Sequence, residues 1–238
     1  MEKCIAIVLA AGSGKRMGTQ VKKQYMELSG YPVLYHTLRV FQESDLIGGI
    51  VLVTGAEDME YCRREIVDRY SFSKVEKIVS GGKERYNSVW KGLLAIDKCD
   101  YVFIHDGARA FVTEDILVRC LESVRVNRAC VAAVRAKDTM KLENGKGFIE
   151  RTINRDLLWT VQTPQVFEYE LIRDCYERLL RDEEELAKRG IAITDDTLAL
   201  ELYSKVPCAL VEGSYENIKL TTPEDIVNGE SILRGRKG

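Results

Sequence analysis

One rhythm governs the chain. From residue 5 to residue 134, short runs of β-branched and apolar residues alternate with amphipathic stretches. Ile5–Leu9, Ile50–Thr54, Val75–Val79, Tyr101–Ile104 and Val131–Val134 read as strands. Val33–Phe41, Glu57–Tyr70, Tyr86–Ile96 and Glu114–Val126 read as helices. Such alternation builds a largely parallel sheet covered on both faces, because each crossover helix must bury its apolar stripe against the strands. With 238 residues, 45% of them hydrophobic and 30% charged, the chain suits one such domain spanning residues 1–238.

The rhythm breaks after Val134. Asp138–Leu142 and Gly147–Ile153 look like two short polar strands around the turn Glu143-Asn144-Gly145-Lys146, and Asn-Gly favours a tight hairpin. We read residues 137–155 as a hairpin arm inserted within the domain. A polar hairpin has little core of its own, so it is either solvated or packed on something else, such as a second subunit. Further on, Glu168–Arg189 reads as one charged helix or two. Asp195–Tyr203 reads as a helix capped by Thr194, and Val206–Val211 as a strand. The last helix opens at Thr222-Pro223-Glu224-Asp225, with Thr as cap, Pro in the first turn and acids at the positive helix end.

Charge and cysteine usage exclude several classes. Thirty-five basic and 37 acidic residues give a net charge of -2, so no basic excess points to nucleic acid or an anionic membrane. The seven cysteines are scattered and never form C-x-x-C, which fits reduced thiols in the cytoplasm. Two histidines and no ligand spacing argue against zinc. The apolar run at Cys4–Leu9 is too short for a membrane span and lacks a signal-peptide cleavage pattern.

The densest chemical signal follows the first strand, in Ala10-Ala11-Gly12-Ser13-Gly14-Lys15-Arg16-Met17-Gly18. Ligands of open α/β sheets bind beyond the carboxyl ends of strands. Small residues let backbone N–H groups approach an anion, and Lys15 and Arg16 supply cations, with Lys22 and Lys23 close behind. That combination suits a triphosphate. Two familiar loops fail on spacing. A dinucleotide fingerprint needs G-x-G-x-x-G, whereas Gly12, Gly14 and Gly18 give one residue too many, and no acid ends the second strand. A P-loop needs four residues between its glycines and Ser or Thr after Lys.

Set beside the rest of the chain, this loop and the following Lys23-Gln24 resemble the sugar-nucleotide pyrophosphorylases. Further segments narrow the resemblance to the methylerythritol phosphate cytidylyltransferases: Gly81-Gly82-Lys83-Glu84-Arg85 with Ser88-Val89, His105-Asp106-Gly107-Ala108-Arg109, and Asp138-Thr139-Met140-Lys141. To these are added Asn154-Arg155, Gln162-Thr163-Pro164-Gln165, Thr194-Asp195-Asp196 and Asn217-Ile218-Lys219. The matches keep their order from residue 5 to about residue 226.

The resemblance implies a Rossmann-like α/β fold with a mixed seven-stranded sheet, a protruding arm and a homodimer. It implies CMP transfer from CTP to 2-C-methyl-D-erythritol 4-phosphate with release of pyrophosphate, aided by Mg2+ or another divalent cation. By the same resemblance Arg16 and Lys23 are catalytic. Ala10, Ala11, Gly12, Ser13, Gly14, Lys15, Gly82, Ser88, Asp106 and Gly107 hold the nucleotide, and Asp106 is the metal ligand. Arg155, Lys219, Thr139, Thr163, Thr194 and Arg109 hold the polyol phosphate. Taken singly, each threonine fits a cap or a strand position better. Lys83 stands where some family members carry Asp, so either a base contact there falls to the backbone or the preference for CTP is weakened. His105, at a strand end, reads as structural. The nearest rival is a ribitol 5-phosphate cytidylyltransferase; rivals of other classes are an NAD(P)-dependent oxidoreductase, disfavoured by glycine spacing, and a non-catalytic nucleotide-binding regulator.

Overall fold

The structure, a computed structural model, describes residues 2–12 and 21–236. Strand β1 (Cys4–Ala10) comes first. A 3-10 turn at Lys23–Tyr25 and two minimal strands, β2 (Glu27–Leu28) and β3 (Tyr31–Pro32), lead into helix α1 (Val33–Glu43). Strand β4 (Gly49–Thr54) precedes a helical segment in three pieces. These are a 3-10 turn at Ala56–Asp58, α2 (Met59–Tyr61) and a π-helical turn at Cys62–Asp68. Then come β5 (Val75–Ser80), α3 (Arg85–Leu94), β6 (Tyr101–Asp106), α4 (Glu114–Asn127) and β7 (Ala129–Arg135). The arm carries β8 (Lys141–Glu143) and β9 (Ile149–Thr152). The chain continues through β10 (Trp159–Glu168), α5 (Tyr169–Arg181), α6 (Glu183–Lys188), α7 (Asp196–Tyr203), β11 (Ala209–Glu212) and α8 (Pro223–Gly235).

Seven strands form the main sheet in the order β11-β7-β10-β6-β1-β4-β5. Every pairing is parallel except those of β10, which runs antiparallel to both β6 and β7. The sheet is therefore mixed, as the resemblance implies. The residues of β1 show why two helical layers are needed. Cys4, Ala6 and Val8 point into the core beneath α1 and α4, and Ile5 and Ile7 into the core beneath α3, α5 and α7. A smaller cluster of Leu28, Val33, Phe111 and Leu220 lies under α8.

Strand order reverses beside β1. The strands β4 and β5 lie on one side of it and β6 on the other, which opens a crevice beyond the carboxyl ends of β1 and β6.

Several local expectations change. Strand β10 breaks the parallel pattern, because the alternating rhythm ends before it. The segment 57–70 is one helical excursion with mixed hydrogen-bond spacing. The charged segment 168–189 is two helices that meet at Asp182. Asp195, not Thr194, caps α7, with its Oδ1 accepting from Leu198 N at 3.1 Å. The strand expected at Val206–Val211 is β11, shifted toward the C-terminus. The arm loop is longer than a two-residue Asn-Gly turn: Asn144 Oδ1 accepts from Lys146 N at 2.9 Å, and positive φ falls on Gly145 and Gly147. At the last helix Asp225 Oδ2 accepts from Thr222 N at 2.9 Å, closing the expected first turn.

Candidate active site

The crevice is built from chain segments stitched together at strand ends. Gln24 is buried, and its Nε2 donates to Ala10 O at 2.7 Å and to Gly12 O at 3.2 Å. That amide fastens the Lys23–Tyr25 turn to the end of β1. The Tyr25 hydroxyl meets Thr54 Oγ1 and Cys62 Sγ, each at 3.1 Å, and so fastens the same turn to the end of β4. The two lysines part here. Lys22 pairs with Glu57 and with Asp58, the latter at 2.6 Å, whereas Lys23 lines the crevice.

A second segment closes the opposite wall. Gly81 N donates to Thr54 O at 2.7 Å. A Cβ on Gly81 would fall 2.4 Å from the Ala11 Cβ, so only glycine lets these two loops meet. Ser88 Oγ accepts from Gly82 N at 3.0 Å and donates to Glu84 O at 3.1 Å, which sets the loop ahead of α3. The result is a cleft of about 380 Å3. Ala10, Ala11, Gly12, Lys23, Gly82 and Ser88 line it, together with Arg85, Asp106 and Lys219. Gly107 lines neither this cleft nor the next. Its N–H donates to Leu9 O at 2.8 Å, and a Cβ there would lie 2.9 Å from that oxygen, so it packs β6 onto β1.

A second cleft, of about 480 Å3, opens on the other side of Asp106. Arg109, Thr163, Gln165 and Thr194 line it, and Arg85, Asp106 and Lys219 line it as well. Those three charged side chains are therefore a common wall. Asp106 is 8% exposed. Its Oδ2 lies 2.7 Å from Lys219 Nζ and 3.9 Å from Arg109 Nε, and its Oδ1 lies 3.3 Å from Arg85 Nε. Burial alone would raise the Asp106 carboxyl, but Arg85, Lys219 and Arg109 outweigh it and hold the group well below the usual carboxylate range. Arg85 also grips Asp196 with both Nη atoms at 2.8 Å. Burial disfavours the charged guanidinium, yet Asp196 and Asp106 overcome this and keep it firmly protonated.

His105 lies in β6. It is fully buried, with Nδ1 on Thr163 Oγ1 at 3.0 Å and Nε2 on Arg109 O at 3.1 Å. Burial pushes the ring down to about 4, so it is neutral at physiological pH. Thr163 Oγ1 also accepts from Asp106 N at 3.1 Å, so this threonine fixes the end of β6 while facing the second cleft. Arg109 Nη1 donates to Asn217 O at 2.8 Å; its buried Nε makes no hydrogen bond.

The remaining sequence-based candidates divide into two groups. Ser13, Gly14, Lys15 and Arg16 lie outside the described residues. Thr139 and Arg155 are exposed on or beside the arm and line neither cleft; Arg155 Nη1 donates to Lys137 O at 3.0 Å. Arg85 and Asp196 are the charged pair that reading the chain did not single out. A physical signal was present. Arg85 is the first residue of α3, where the helix dipole disfavours a cation, so it demands a carboxylate from elsewhere.

Comparison with known proteins agrees with this geometry. The model of the family described as 2-C-methyl-D-erythritol 4-phosphate cytidylyltransferase matches residues 4–235. A protein of that description from Lachnoclostridium phytofermentans is 44% identical over 234 residues, covering 98% of this chain and 97% of its own. One from Clostridium botulinum strain Loch Maree is 47% identical over 234 residues, covering 98% of each. Among solved structures, the 4-diphosphocytidyl-2C-methyl-D-erythritol synthase of Anaerococcus prevotii superposes with a TM-score of 0.85 at 32% identity, over 98% of this chain and 96% of that one. The Thermus thermophilus cytidylyltransferase gives 0.75 at 26% identity, over 98% of this chain and 100% of that one.

Proposed function

The chain belongs to the 2-C-methyl-D-erythritol 4-phosphate cytidylyltransferase family, and from that premise we propose how its two clefts divide the reaction. The enzyme transfers CMP from CTP to 2-C-methyl-D-erythritol 4-phosphate and releases pyrophosphate. CTP occupies the first cleft, with its base toward Gly82 and Ser88 and its phosphates toward Gly12 and Lys23. The polyol phosphate occupies the second, among Arg109, Thr163, Thr194 and Lys219. The observation that carries this division is the common wall of Arg85, Asp106 and Lys219, the border across which a phosphate oxygen would reach the α-phosphorus.

The chemistry asks for charge rather than a base. A phosphate monoester has a second pKa near ~6, so the nucleophile is already ionised at neutral pH. The neutral, buried His105 is consistent with that. Negative charge gathers at the α-phosphate, so cations and alignment supply the catalysis. We assign that task to Arg16 and Lys23, with Lys15 on the outer phosphates. Lys219 and Arg155 meet the phosphate of the polyol.

Among the described residues no cluster of three or more His, Cys, Asp or Glu could hold a metal ion. Asp106 offers one carboxylate, already flanked by three cations. Mg2+ would arrive on the triphosphate, and Asp106 is the carboxylate that the family resemblance assigns to it; to take the ion it would have to share an oxygen with these cations. When bound, the ion neutralises phosphate charge. The experiment is a substrate panel, with CTP, UTP and ATP each tested against methylerythritol and ribitol phosphates. Pyrophosphate should appear with CTP and methylerythritol 4-phosphate, and EDTA should stop it without loss of secondary structure. Clear preference for ribitol phosphate would overturn the assignment of the second cleft.

The arm supports a homodimer with shared sites. Among the described residues, Thr139 and Arg155 line neither of the two clefts of their own chain, yet the family resemblance assigns them to the polyol phosphate. Phe148 is 69% exposed and Leu157 77%, with Ile149, Met140 and Leu142 also open to solvent, an apolar surface that a partner would cover. Each arm would then complete the partner's second cleft. Unfolded Arg16→Ala and Arg155→Ala chains, mixed equally and refolded, should recover about a quarter of wild-type activity if pairing is random. No recovery in a dimer proven to exchange chains would leave the arm serving its own subunit. We assign the enzyme to the cytoplasm, on the strength of seven free cysteines.

A further inference from the structure

We propose that Arg85 is a positioning residue of the transfer: locked onto Asp196, it holds one oxygen of Asp106 in the wall between the clefts and so fixes Lys219 on the other. The inference rests on the reading above, in which Lys219 meets the polyol phosphate.

The Asp196 side chain has no solvent exposure and sits in the first turn of α7. Its backbone N–H donates to Gln165 Oε1 at 2.9 Å, and its Oδ1 also accepts from the buried Tyr176 hydroxyl. A carboxylate held on so many sides does not move. The fork of Arg85 reaches it with two parallel hydrogen bonds of 2.8 Å. A guanidinium is planar and rigid, so fixing both Nη atoms also fixes Nε. That third donor lies 3.3 Å from Asp106 Oδ1.

Asp106 is then constrained at both ends. Its backbone N–H donates to Thr163 Oγ1, which leaves the two side-chain torsions. Arg85 takes Oδ1, so Oδ2 alone faces Lys219 Nζ at 2.7 Å. Lys219 carries a flexible four-carbon stem, and one fixed oxygen is what gives its ammonium a defined place. A pair that served only to hold α3 against α7 would need the two contacts to Asp196 and nothing at Asp106.

Substitution by lysine separates the two roles, because an ammonium can pair with Asp196 but cannot present the fork and the Nε contact together. In single-turnover CMP transfer, Arg85→Lys should lower kcat/KM for the polyol phosphate by about tenfold or more, while the KM for CTP stays within about threefold. In a Lys219→Ala background the same change should cost less than about threefold, since its route of action is already gone. Equal, additive losses in both backgrounds would overturn the proposal, as would near-normal turnover of Arg85→Lys. If Arg85→Lys melts far below wild type, the neutral pair Arg85→Gln with Asp196→Asn replaces it in the same cycle, with the same outcomes. Wild-type enzyme that transfers nothing to methylerythritol 4-phosphate would fault the two-cleft reading instead.

Discussion

Replacing Lys23 by Ala is expected to lower kcat by about 10²-fold or more, with a much smaller change in the KM for CTP. Lys23 lines the first cleft in a turn stitched to β1 by Gln24 and to β4 by Tyr25, so its backbone is held at the cleft before the reaction begins. Charge that builds up only in the transition state is felt in kcat, whereas uniform binding would be felt in KM. Lys22 is the internal comparison. It has the same side chain one position earlier but does not line the first cleft, so Lys22→Ala should do far less. Steady-state pyrophosphate release with both substrates saturating decides the matter. A Lys23→Ala enzyme within threefold of wild type would remove this lysine from the mechanism. Arg16→Ala should behave like Lys23→Ala.

The largest effect on stability is expected at Asp196. Its Ala variant leaves the Arg85 guanidinium without its bidentate partner and the buried Tyr176 hydroxyl without its acceptor. Breaking a buried pair on one side costs about 3–5 kcal/mol, and the loss here should lie at the lower end, because Arg85 borders the clefts and keeps Asp106 beside it. At roughly 2–4 °C per kcal/mol for a chain of this size, Tm should fall by on the order of 10 °C. Asp196→Asn keeps the shape and one acceptor and should lose less. Thermal and urea unfolding of the three proteins provide the measurement. A loss below about 1 kcal/mol for the Ala variant would mean that Arg85 finds another partner readily.

What could be read along the chain was what is local in it. The first cleft follows from Ala10-Ala11-Gly12 at the end of a strand and from Gly81 and Gly82 ahead of a helix, segments whose chemistry sits within a few residues. Strand β10 was hidden because Gln162, Thr163 and Gln165 break its apolar alternation. The register shifts between Val161 and Gln165, and those side chains bind Ser214, His105 and Asp195 from other segments. The π-helical turn at Cys62–Asp68 escaped because its 7 residues are too few to show a changed period in the apolar pattern. Arg85 and Asp196 stand 111 residues apart, and no periodicity connects them. Lys219 reached the site only through its resemblance motif. Its meeting with Asp106 depends on the 213–221 segment, where Leu220 N donates to Ala108 O at 2.9 Å.

A wall held in common by two clefts has a thermodynamic consequence. Arg85, Asp106 and Lys219 border both, so a charged ligand on one side would change the field met by a ligand on the other. Such coupling is reciprocal. Whatever factor CTP imposes on the affinity for the polyol phosphate, the polyol phosphate imposes on the affinity for CTP. Neither dissociation constant is then a property of its own cleft alone. A compound designed to fill one cleft would show a potency that drifts with the concentration of the substrate in the other, even though the two never compete for the same space.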